Sequence, residues 1–79
     1  MVKGFVLISV QPGKEMEAYR AFKMARGVER VTPLLGDIDF ILEIEASSPN
    51  EIASIVIRHI RTIPGVASTK TLEIGRAHV

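Results

Sequence analysis

The sequence runs to 79 residues with a formal net charge of +1, 47% hydrophobic and 24% charged residues, and no cysteine. That length allows one domain burying only roughly 60–65% of its unfolded surface, and no disulfide or thiolate metal site can add to its stability. Balanced, interspersed charge argues against a general nucleic-acid or membrane-surface binder, and no stretch approaches the roughly 18 apolar residues of a membrane span.

The opening run, GFVLISV from Gly4 to Val10, is rich in β-branched and aromatic residues and has no helical period. Val6, Ile8 and Val10 point one way, Phe5 and Leu7 the other. A strand apolar on both faces is buried on both faces. Gln11-Pro12-Gly13 punctuates, and Lys14 to Arg26 is composed of helix formers, with Ala18, Tyr19, Phe22 and Ala25 as an apolar stripe and Gly27 as the stop.

A second strand is expected over about Val28 to Leu35, a hairpin turn at Gly36-Asp37, and a third strand with Ile38, Phe40, Leu42 and Ile44 on one face. Asp39, Ile41, Glu43 and Glu45 take the other. Ser48, Pro49 and Glu51 read as N-cap, first helical residue and capping-box partner of a second helix. Ile52, Ile55, Val56, His59 and Ile63 form its inner stripe, and Pro64-Gly65 ends it. Val66 to Ile74 is the fourth strand; residues 75–79 read as a loose tail on a single domain spanning 1–79, with a core over about 3–74.

The order βαββαβ, with Gly27-Val28 and Gly65-Val66 each leading from helix to strand, predicts a ferredoxin-like α+β fold of the dimeric α+β barrel type. Right-handed crossovers make the four-stranded sheet antiparallel, with strands one and three central and both helices on one face. The other face, carrying Phe5 or Val6, Ile8 and Ile41 depending on register, has no cover within the chain. A second copy's sheet is the expected cover.

Little in the chain resembles catalytic machinery. No nucleophile has an adjacent base, His59 and His78 have no evident partners, and one glycine at Pro12-Gly13 makes no phosphate loop. Asp37 and Asp39 supply too few oxygens for a hard metal and point to opposite faces in a strand. The short KGFV stretch (Lys3 to Val6) fits an RNA-recognition sheet, but Asp39, Glu43 and Glu45 on strand three would repel phosphate. The plain reading of the two aspartates is turn chemistry, with Asp37 bonding local backbone and Asp39 solvated.

Taken together, GFVLISVQPGKE, VERVTPLLGDIDFILEIEA and IRTIPGVASTKTLEI resemble the effector-binding (RAM) domain of the Lrp/AsnC family of transcriptional regulators over about residues 3 to 74. The family's regulators carry a helix-turn-helix domain before this module, whereas this chain opens on the first strand, so the resemblance is to a stand-alone version. It implies a non-enzymatic module with no cofactor and no direct nucleic-acid contact; the cytoplasm is the expected location because the sequence shows neither a signal peptide nor a membrane span. It also implies sheet-to-sheet homodimers that build larger rings, often of eight subunits, and co-assembly with full-length regulators.

The implied ligand is an amino acid held between dimers at the turn Gly36, Asp37, Ile38 and Asp39, with Thr69 and Thr71 as neighbours. Glycine lets backbone approach the ligand, turn amides take a carboxylate, and an aspartate, here Asp39, takes the ammonium group. Two other readings stand beside this one: a structural module without an effector, and a small dimeric α+β barrel enzyme with His59 as its acid–base group. Ordinary cross-strand packing would equally account for Thr69 and Thr71.

Overall fold

The computed structural model describes residues 1–74, and the expected tail, with His78, lies outside them. Its first strand, β1 (Val2–Val10), buries every second residue, because the alternation of Val6, Ile8 and Val10 against Phe5, Leu7 and Ser9 matches the two-residue period of a pleat. It pairs on one side with β3 (Phe40–Ala46) and on the other with β4 (Val66–Ile74), both antiparallel. β2 (Val28–Pro33) pairs with the outer side of β3, giving the order β2-β3-β1-β4. With helices after β1 and β3, this is the ferredoxin-like arrangement expected, with strands one and three central.

The helix α1 (Glu15–Met24) sets Ala18 and Phe22 into the sheet. The second helix, α2 (Pro49–Ile55), starts at Ser48, whose hydroxyl accepts from the Glu51 amide at 3.1 Å. The Glu51 carboxylate reaches back one residue beyond the cap, accepting from the Ser47 amide at 2.7 Å and the Ser47 hydroxyl at 2.6 Å. These two hydrogen bonds hold the carboxyl below the usual glutamate range.

α2 continues as a single wide π turn over Val56–Ile60, in which the Arg61 amide donates five residues back to the Val56 carbonyl at 2.8 Å. The extra residue per turn changes which side chain faces the sheet. Ile60 is fully buried, and His59, expected on the inner stripe, is exposed. Regular helical spacing places residue 59 inward; the π turn moves that place to residue 60.

The core lies between this helical layer and one sheet face, where Val6, Ile8, Leu42 and Ile44 meet Phe22, Ile52 and Ile60. Each such side chain, fully withdrawn from water, contributes about 1.5–3 kcal/mol. Gly27 carries a positive φ of +82°, and a Cβ there would stand 2.8 Å from the Ile55 Cδ1, so this corner between α1 and β2 needs glycine for conformation and for space. Gly65, before β4, has φ +95°. The paired glycine–valine steps thus have a common backbone geometry.

The register settles which residues occupy the uncovered face. Leu7 stands opposite Ile41 on β3 and Lys70 on β4, and Phe5 opposite Glu43 and Leu72. Val6 and Ile8 belong to the helix side, so the open face carries Phe5, Leu7, Ile41 and Leu72 instead. Glu43 crosses it, pairing with Lys3 at 3.7 Å and Arg30 at 3.4 Å.

Candidate functional site

β2 ends earlier than its sequence suggests, at Pro33, and β3 begins later, at Phe40, so the connection between them, residues 34–39, is a loop and not a two-residue hairpin. Gly36 has φ +125°, and a Cβ there would meet nothing within 4 Å, so glycine serves conformation at this exposed position. Leu35 is fully exposed, and Asp37 is exposed while Ile38 and Asp39 are half-buried.

Asp39 is the joint of this loop. Its amide donates to the Ile8 carbonyl at 2.8 Å, and its own carbonyl accepts from the Leu34 amide at 2.8 Å. One carboxylate oxygen, Oδ2, accepts from the Val10 amide at 2.8 Å. The reason is geometric. The Ile8 carbonyl faces β3, so the Val10 amide two residues on faces the same way, past the last pair of the β1–β3 ladder. Without Asp39 that half-buried donor would lose its partner, and an ionised acceptor makes the bond a strong one.

The two aspartates therefore divide the work in the opposite sense to the sequence expectation. Asp39 is occupied by backbone, whereas Asp37 leaves its carboxylate exposed and engages only through its carbonyl, which accepts from the Ser9 hydroxyl at 3.2 Å. Sequence reasoning passed over Ser9, although the signal was there: it is the single polar residue in the apolar run of β1.

Gly36, Asp37, Ile38 and Asp39 are brought together, but Thr69 and Thr71 are not brought to them within one chain. Thr69 lies opposite Ile8 and Thr71 opposite Val6 on β4, an outer strand separated from β3 by β1. Both threonines take the helix-side face of β4, where Thr69 is half-buried and Thr71 exposed. Behind the loop, Phe40 packs edge-on to Phe22 at 5.4 Å and stacks with Tyr19 at 6.1 Å between ring centroids. Beside these rings is an apolar groove of about 260 Å³ bounded by Glu15, Met16, Tyr19, Pro33 and Phe40. Among the described residues no three or more His, Cys, Asp or Glu side chains converge, and no helix is long and apolar enough to cross a membrane.

The fold is shared closely with solved structures. A protein of Thermus thermophilus superposes with a TM-score of 0.91 at 25% identity, covering 100% of this chain and 99% of that one. AsnC of E. coli gives 0.88 at 19% identity, and a Neisseria meningitidis transcriptional regulator solved as its L-Met complex gives 0.83 at 15%. Each of these two is covered for about half its length, 53% and 52%, while 99% of this chain is matched. In sequence, 52 residues (66% of this chain) are 40% identical to a homocitrate synthase of Sulfurisphaera tokodaii, of which they make up 11%. The family model described as the Lrp/AsnC ligand binding domain matches residues 3–77, and the chain belongs to that family of regulatory ligand-binding domains.

Proposed function

We propose that the chain is an amino-acid sensor that binds a small zwitterion at the loop between β2 and β3 and works as a sheet-to-sheet oligomer. The observation that carries this reading is the division of labour at Gly36–Asp39. Asp39 locks the loop to β1 through Val10, and Asp37 is left with an exposed carboxylate beside a glycine of positive φ. A fixed loop presenting one uncommitted charge is suited to an α-ammonium group, because the cost of ordering the loop is met before the ligand arrives. The amino acid named in the Neisseria complex supports the ligand class, and the family match supports the role.

The open face with Phe5, Leu7, Ile41 and Leu72 is the proposed dimer surface, with the Lys3–Glu43–Arg30 ion pairs across it. Larger rings would bring Thr69 and Thr71 of another copy toward the loop. Full-length Lrp/AsnC regulators are the proposed partners for co-assembly. A second reading rests on the homocitrate synthase match: the same module would then report amino-acid supply to a metabolic enzyme instead of a regulator.

A thermal-shift panel of the common amino acids, followed by calorimetry on any that raise the melting temperature, tests the ligand class. Pull-down of each candidate partner type, a full-length regulator and a homocitrate synthase, separates the two roles.

A further inference from the structure

A cavity of about 430 Å³ lies away from the β2–β3 loop. It opens at the start of β4, lined by Arg61, Val66, Ala67, Ser68 and Thr69. Its form follows from a bulge. Ser9 pairs with Ser68 but Val10 with Val66, so Ala67 has no opposite residue and the strand turns outward there. Arg61 caps the end of the π turn and overlooks the opening.

The donors at this place are one-sided. Arg61 has no carboxylate within ion-pairing distance among the described residues, whose three ion pairs are Lys3–Glu43, Lys14–Glu17 and Arg30–Glu43. Thr69 contributes a helix-side hydroxyl with no intramolecular partner among those residues, whereas Ser68 points to the open face opposite Ser9. Because the Ile8 carbonyl faces β3, its opposite residue Thr69 turns its own amide away from β1, to the free edge of β4. A guanidinium fork, the Thr69 hydroxyl and its edge amide suit a planar anion, which arginine grips through two parallel hydrogen bonds. The volume falls within the range of small-ligand sites, large enough for a whole amino acid around the anion.

We propose that this cavity is a carboxylate-binding site, with Arg61 as the anchoring residue and Thr69 completing the grip through its hydroxyl and its edge amide. It deepens the amino-acid reading above and rests on it only for the identity of the natural ligand. The Asp37 loop reaches the same end of the sheet: the Asp37 carbonyl accepts from the Ser9 hydroxyl, and Ser9 pairs with Ser68, the residue before Thr69. That end of the sheet thus carries an exposed carboxylate on the loop as well as the guanidinium unpaired among the described residues.

The test is a titration of the isotope-labelled 79-residue chain with sodium acetate at constant ionic strength, read by amide NMR, with inorganic phosphate as a second probe. Saturable shifts centred on Arg61, Ala67, Ser68 and Thr69, weakened at least tenfold in Arg61→Gln and severalfold in Thr69→Val but unchanged in Ser68→Ala, are expected. Shifts spread over all basic residues without saturation would overturn the proposal, as would phosphate binding there without acetate. A lower melting temperature for Arg61→Gln with acetate binding unchanged would also overturn it, since Arg61 would then serve only as a cation at a helix end. If acetate binds as described but no amino acid does, the carboxylate site stands and the sensor reading falls. If an amino acid binds wild type and Arg61→Gln equally, the sensor reading stands and this inference falls.

Discussion

Asp39 shows how a residue with an apparent ligand-binding signature is claimed first by the backbone. Its carboxylate satisfies the Val10 amide, which the end of the β1–β3 ladder leaves over. Asp39→Ala should therefore destabilise the fold by about 1.5 kcal/mol, the lower end for a charged hydrogen bond because the group is half exposed. Asp39→Asn, whose amide oxygen still accepts from Val10, should lose much less, and urea unfolding distinguishes the two. Equal losses would mean that the charge, not the hydrogen bond, stabilises the loop. Glu51 makes a prediction in pH. Its carboxyl is held below its ordinary value by the Ser47 hydroxyl and amide. A carboxyl with a lowered native pKa contributes stability that is complete above the unfolded value and lost as pH falls through the native one. The melting-temperature gap between wild type and Glu51→Ala should thus be steady at neutral pH and close under acid conditions.

The π turn at Val56–Ile60 is the element that the sequence did not disclose. Ile52, Ile55, Val56 and His59 fit an ordinary helical stripe, and only the tertiary demand for an apolar side chain over the sheet selects Ile60. Ile60→Ala should cost about 2–5 kcal/mol, as buried isoleucines do, and His59→Ala should stay within about 0.5 kcal/mol. The reverse ranking in thermal unfolding would put an α-helix there. The other elements were legible because β1 and β3 keep a strict two-residue alternation and Ser48–Glu51 announce a helix start. The binding features were less so. Gly36 and Asp37 stand out in the sequence, but the cavity at Arg61 depends on a bulge between Ser9 and Val10, and nothing in VASTKT marks where a register will slip. Thr69 and Thr71 were placed beside the turn by family resemblance, and β1 lies between them and it.

Across the whole molecule the uncovered sheet face is the proposed assembly surface. Phe5, Leu7, Ile41 and Leu72 lie on that face, Leu72 exposed and the others half-buried, and a second copy's sheet packed there would cover them. Light scattering should give a mass of at least two chains for wild type and a smaller one for Leu7→Asp; an 8.7 kDa species for wild type at micromolar concentration would refute the dimer. In the proposed function, signalling depends on the loop and on ligand. Isothermal titration of the common amino acids into wild type and into Asp37→Asn is the most direct measurement. At least one should bind saturably to wild type and about tenfold or more weakly to Asp37→Asn, the loss of one charged hydrogen-bond partner. No binding of any amino acid to wild type at millimolar concentration, or equal binding to both proteins, would contradict the sensor site at the β2–β3 loop.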